Sequence, residues 1–231
     1  AALLFYGVVR LRLTKVAILL AVAGMIGGVG YLLTNNQYLD FAPDYNKTIS
    51  HTEFDDLVTA TYQLEDISSM ERVYRWVAAG FMIQEEPLYG FGPGNFYSFY
   101  KGYTVSAFTT YVSRNEDRSG IHNYYLMTMV DQGYIGLGLY LLLILGMLWY
   151  GDQIYHRTKN KERRALVMTI LAVLFIFNLL QLINDLMETD KFGSFFFICL
   201  AMLVRIDLLN QSEAQVSLVE ISTEKEGIRS L

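Results

Sequence analysis

The run from Tyr124 to Tyr150, YYLMTMVDQGYIGLGLYLLLILGMLWY, carries one charge, Asp131, and is long enough to decide what the chain can become. About 20 apolar residues in a helix, rising about 1.5 Å each, cover the roughly 30 Å of hydrocarbon in a bilayer, so such a run reads as a membrane span. Val16–Leu33, Ala165–Ile183 and the shorter Phe192–Ile206 share this character. With 53% hydrophobic residues held in several such runs, 231 residues do not make one soluble core. The fold class is all-α, a polytopic integral membrane protein with four spans.

The opening stretch AALLFYGVV is too short to cross a bilayer and reads as the tail of a preceding span; the positive residues that follow it do not suit a signal peptide. Orientation follows from Lys and Arg in the short connections. Arg10, Arg12 and Lys15 precede the first span, and Arg157, Lys159, Lys161, Arg163 and Arg164 lie between the second and third, so both connections belong in the cytoplasm. The expected organisation is residues 1–33 as a span end, a cytoplasmic turn and the first full span; 34–122 as an extracytoplasmic loop; 123–207 as three further spans; and 208–231 as a polar, disordered cytoplasmic tail. The loop holds twelve acidic residues against six Lys or Arg, but long loops translocate largely regardless of charge. The lone Cys199 lies in the last span and excludes an intrachain disulfide.

An outer loop of this length is usually functional. Asp40–Ser50 reads as irregular and His51–Glu65 as a short amphipathic helix. Ser68 with Glu71 suggests a capping box opening a helix through ERVYRWVAAGFMIQ. PLYGFGPGNF ends that helix, because Pro87 and Pro93 restrict the residues before them while Gly90, Gly92 and Gly94 permit positive φ. No strand precedes these glycines and no Lys-Ser or Lys-Thr follows, so the segment reads as a rigid corner rather than a phosphate loop. The glycines of GMIGGVG, Gly24 and Gly28 among them, suit close helix packing.

Arg72 and Arg75, three apart, share a helix face, with Trp76 four after Arg72. Paired guanidinium forks suit a pyrophosphate; the alternative is that they pair with Glu71, Glu85 or Glu86 on the surface. His122 can serve as a general base on a bound hydroxyl or simply hydrogen-bond a neighbouring loop. His51 and His122 are the only outer histidines and show no metal-ligand spacing, and no nucleophile elbow is present. Asp131 stands on the helix face opposite His122 and ties its helix to neighbours, while Asn184, Asp185 and Glu188 read as a solvated turn, the alternative being that they approach the His122 site. Arg114 and Arg118, just before His122, read as part of a solvated, mobile run, the alternative being further cationic contacts at the site.

An Arg four before a Trp, then PLYGFGPGNF from Pro87 to Phe96, then HNYYLMTMVDQGYIG from His122 to Gly136 resembles the O-antigen ligase and polymerase superfamily. The resemblance covers roughly residues 68–145. It implies a membrane glycosyltransferase that moves a glycan from a polyprenyl pyrophosphate carrier to an acceptor hydroxyl, with inversion and without metal, nucleotide sugar or other cofactor. The acceptor it implies is a lipid A core sugar, another glycan repeat or a protein hydroxyl; no nucleic-acid partner is expected. Carried onto this sequence, His122 is the base, Arg72 and Arg75 contact the pyrophosphate, and Trp76 and Asn123 support the site. The superfamily also uses an arginine of an earlier outer loop, which lies outside these residues. Location in a bacterial inner membrane with the long loop in the periplasm follows from the same resemblance. The competing class, a small-solute transporter or channel, calls for charges in several spans, whereas Asp131 is the one mid-span charge.

Overall fold

The structure is a computed structural model describing residues 1–33, 67–110 and 113–229. The segments expected to be irregular, Asp40–Ser50, and helical, His51–Glu65, lie outside the described residues. The helices are α1 (Ala2–Arg10), α2 (Thr14–Leu33), α3 (Ile67–Glu85), α4 (Phe96–Phe99), α5 (Tyr124–Arg157), α6 (Lys161–Leu180) and α7 (Asp190–Arg229). The described residues contain no strand. Three described helices are long and apolar enough to cross a membrane, Tyr124–Arg157, Lys161–Leu180 and Asp190–Val216, and α2 covers the first predicted span. The chain is an all-α polytopic membrane protein.

Its residues form two compact units. The first comprises Ala1–Ile18, Leu143–Asn178 and Glu188–Leu231. Here Phe5 of α1 stacks on Phe175 at 4.4 Å, and Phe177 meets Phe196 at 5.5 Å. Gly151 leaves room for Leu171, whose side chain a Cβ at that position would overlap. Polar contacts fix the helix ends: Tyr150 Oη donates to Asp207 at 2.6 Å, Asn210 Nδ2 donates to Thr158 Oγ1 at 2.8 Å, and Arg163 pairs with Glu213. The tail expected to be disordered is instead helical through Arg229. NQSEAQVSLVEISTEKEG has no proline, and contacts of Asn210 and Glu213 with Arg163 hold its start, so the helix continues past the apolar part.

The second unit comprises Leu19–Leu142 and Leu179–Met187. Among the described residues, a Cβ at Gly24 or Gly27 would meet nothing within 4 Å. Helix α3 buries Tyr74, Ala78 and Met82 with Ala79 and Ile83, positions three and four apart that form one stripe. The stripe packs on Phe96, Tyr100, Phe108, Ile121, Met127 and Val130. Tyr100 and Phe108 are fully buried, and truncating a buried aromatic of this kind costs about 3–5 kcal/mol.

The Pro87–Phe96 corner takes the predicted form, with Gly90, Gly92 and Gly94 at φ of 67°, 90° and 77°. Its docking partner is not evident from sequence. Gly133 interrupts α5 with φ 67° and ψ −166°, and the corner lies against this break. Phe91 N–H donates to Val130 O at 2.7 Å, Gly92 N–H to Asp131 O at 3.0 Å, and Tyr134 N–H to Pro87 O at 2.8 Å. Backbones approach so closely that a Cβ on Gly133 would overlap the Leu88 carbonyl, and one on Gly90 the Val130 carbonyl. Asp131 ties its helix to this corner: it is buried, and its Oδ2 lies 3.5 Å from Gly94 N.

Candidate functional site

Helix α3, the segment ahead of α5 and the short connection after α6 converge on His122. The convergence begins at Glu71. Helix α3 is already helical at Ile67, so Ser68 lies inside it rather than capping it, and the expected capping box gives way to a tertiary role. Buried Glu71 accepts from Thr110 Oγ1 at 2.5 Å and Ser113 Oγ at 2.6 Å through Oε1, and from Arg75 through Oε2 at 3.4 Å. Arg75, also buried, donates from its other terminal nitrogen to Gly120 O at 3.3 Å. One carboxylate and one guanidinium thereby hold both ends of the segment from Thr110 to Gly120 on α3. Removing either partner would leave an unpaired buried charge, the costly outcome for such pairs.

Between these ends, buried Asn115 closes a turn by accepting from Ser119 N at 2.8 Å and donating to Ser119 O at 3.0 Å. Asn115 and Arg118 both adopt φ of 52°, so the charged run expected to be mobile is a clasped turn whose charged side chains face outward. Arg118 lies over the Tyr97 ring at 5.3 Å, and the Arg114 carbonyl accepts from Lys101 Nζ.

The next residues are held one by one. Trp76 Nε1 donates to Ile121 O at 3.0 Å. His122 has φ of 57°, a left-handed conformation uncommon outside glycine, which surrounding contacts must sustain. Its backbone N–H donates to Asp185 Oδ2 at 2.8 Å. Asn123 then caps α5, its Oδ1 accepting from Leu126 N at 3.0 Å, while Tyr124 N–H donates to Gln181 O at 2.9 Å. Asp185, read from sequence as part of a solvated turn, is thus a direct partner of the His122 backbone. A Cβ at Gly120 would come within 2.8 Å of Asp185 Oδ2, so a glycine there keeps that approach open.

The His122 side chain is half-buried, and neither ring nitrogen bonds to any described residue. Burial, with Arg75 and Arg72 adding positive charge nearby, pushes the imidazole below the ordinary histidine value against the opposing pull of Asp185. Burial pushes the Asp185 carboxyl up, and the His122 N–H works against that shift. Arg72 is half-buried and has no hydrogen-bond or ion-pair partner among the described residues. The two arginines therefore differ. Arg75 is engaged by Glu71 and Gly120, with only Nε unpartnered, whereas the Arg72 fork has no partner among the described residues.

Among the described residues no group of three or more His, Cys, Asp or Glu is placed to hold a metal ion. His51 lies outside the described residues, and His156 is engaged elsewhere, with Nε2 2.8 Å from Val9 O. Chemically, the site offers an imidazole and a guanidinium that have no bonded partner among the described residues, beside a helix start, a combination suited to a base working next to an anion.

No curated protein and no solved structure matches this chain. The sequence model described as O-antigen ligase matches residues 1–141, which takes in Arg72, Arg75, Trp76, the corner and His122 and stops short of Gln181 and Asp185. A match over more than half of the chain, on a membrane fold with this site, shows that the chain belongs to the O-antigen ligase family, and so to membrane enzymes of the glycosyltransferase type.

Proposed function

We propose that the protein transfers a glycan from a polyprenyl pyrophosphate carrier to an acceptor hydroxyl, as an O-antigen ligase with a lipid A core acceptor, on the outer face of a bacterial inner membrane. The observation that carries this reading is the free imidazole of His122, presented by a backbone held at Gly120, Ile121 and its own N–H. In the proposed step an imidazole nitrogen removes the proton of the acceptor hydroxyl. The oxygen forms a bond to the anomeric carbon from the face opposite the pyrophosphate, the old carbon–oxygen bond breaks, and the electron pair leaves on the pyrophosphate. The configuration inverts.

A base below the ordinary histidine value is mostly neutral at pH 7 and ready to accept that proton. Arg72 is the contact for pyrophosphate oxygens, because its planar fork is unengaged among the described residues and stays charged. Arg75 is the weaker second contact: it acts mainly through position, holding the Gly120 carbonyl, with its buried Nε left unpartnered. Neutralising the leaving group in a water-poor site lowers the barrier without a separate acid. The residues need no metal in these roles.

The test is glycan attachment in cells making the full-length protein. Loss of attached glycan with carrier-linked polymer accumulating supports a ligase. Loss of long chains with single repeats still attached indicates a polymerase of the same superfamily, and a lipopolysaccharide ladder unchanged while protein glycosylation fails indicates a protein acceptor.

A further inference from the structure

The connection between α5 and α6 is rich in cations, and they are not used alike. Arg157 donates to Gln153 at 2.8 Å, and Arg163 is taken up by Glu213 and Asn210. Lys161 and Arg164 have no acidic partner among the described residues. Both line one cavity of about 330 Å³ in the first unit, with Tyr6, Tyr155, Ala165 and Met168. The Arg164 guanidinium lies over the Tyr155 ring at 4.5 Å, and Arg10 lies over the Tyr6 ring at 5.9 Å while donating to the Tyr6 hydroxyl at 3.1 Å. Two cations therefore line a cavity whose lining contains no carboxylate, and a third, Arg10, is held on the lining residue Tyr6.

Stacking on an aromatic face leaves the edge N–H groups of a guanidinium available, and the lysine ammonium is a mobile point charge, so this arrangement suits an anion with several oxygens. The remaining lining, two aromatic rings, Ala165 and Met168, is largely apolar and does not suit a small hydrated ion. The cavity opens where two membrane-length helices meet their connection, and Leu3 and Leu4 of α1 and Leu166 of α6, close in sequence to the lining residues Tyr6 and Ala165, are exposed. We propose that this cavity is a binding site for the phosphodiester headgroup of an anionic membrane lipid, with Lys161 and Arg164 on the phosphate and the exposed leucines along the acyl chains. The site is independent of the glycan-transfer chemistry. It would tie this end of the helices to one class of lipid, as basic pockets between membrane helices do elsewhere.

The probe is phosphatidylglycerol, titrated into the delipidated full-length protein in neutral detergent and counted as bound lipid by native mass spectrometry, with phosphatidylcholine and inorganic phosphate in parallel. The expected result is one phosphatidylglycerol retained in preference to phosphatidylcholine and not displaced by millimolar phosphate. Its affinity should fall about thirty-fold in the Lys161→Gln/Arg164→Gln variant, by roughly a factor of five per lost cation. Arg163→Gln, whose cation is already paired, should bind as wild type, and the single variant Lys161→Gln, at an exposed position, should show half of the logarithmic loss. Equal retention of phosphatidylcholine, unchanged binding by the double variant, or displacement by phosphate would each overturn the proposal.

Discussion

At the scale of single residues, the two arginines of α3 separate into different tasks, and the difference can be measured. Arg72→Lys keeps the charge but loses the paired donors, so kcat/KM for glycan transfer should fall about tenfold or more with the protein still inserted. Full activity in that variant would remove Arg72 from the pyrophosphate contact. The pH dependence follows from His122, whose neutral form is the active base. Because its folded value is depressed below 6.5, kcat/KM should rise with pH through a midpoint under that value and then level off. Arg72→Gln, which removes a positive neighbour, should move the midpoint upward. Both arginines, Trp76, His122 and Asn123 were legible in the sequence as types at spacings. Asp185 entered only as the alternative to a solvated turn, because its bond to His122 joins residues 63 positions apart and no local pattern encodes such a meeting. Glu71 misled for a related reason: its spacing from Ser68 fits a capping box, but a buried arginine and two hydroxyls from a distant segment compete for the same carboxylate and win.

At the scale of elements, the corner and the broken helix it meets form one device. Gly133 combines a left-handed φ with direct approach to the Leu88 carbonyl, so Gly133→Ala adds about 1–3 kcal/mol of backbone strain to a steric overlap. The expected outcome is a lowered thermal unfolding midpoint and faster proteolysis of the loop; wild-type behaviour would mean that the break is not needed. Trp76→Phe is a milder probe, since it keeps the ring and removes the bond to the Ile121 carbonyl. Loss of one such bond is worth about 1 kcal/mol, so the unfolding midpoint should fall by roughly 2–4 °C, and kcat should drop by up to roughly fivefold as the backbone before His122 loses part of its hold. The corner itself was readable from its prolines and glycines, because positive φ at Gly90, Gly92 and Gly94 is a local demand. Where it docks was not readable, since an apolar run does not announce a break at one of its several glycines.

At the scale of the whole molecule, hydropathy alone made the membrane class plain, and the helices fall on the predicted runs. The far end of α7 escaped the same reading because polarity argues against a span without arguing against a helix. The proposed orientation can be checked in a Cys199→Ser background, which removes the single native thiol. A cysteine at Ser98 should react with a membrane-impermeant maleimide in spheroplasts, and one at Lys159 only after lysis; the reverse pattern would invert the topology. The central claim is that a base held at His122 drives glycan transfer, and the most direct measurement compares His122→Ala with wild type in cells, at matched membrane levels, by the lipopolysaccharide ladder. The account predicts that attached glycan disappears while carrier-linked polymer accumulates. An unchanged ladder from the His122→Ala protein, with attachment still dependent on the chain being present, would contradict it.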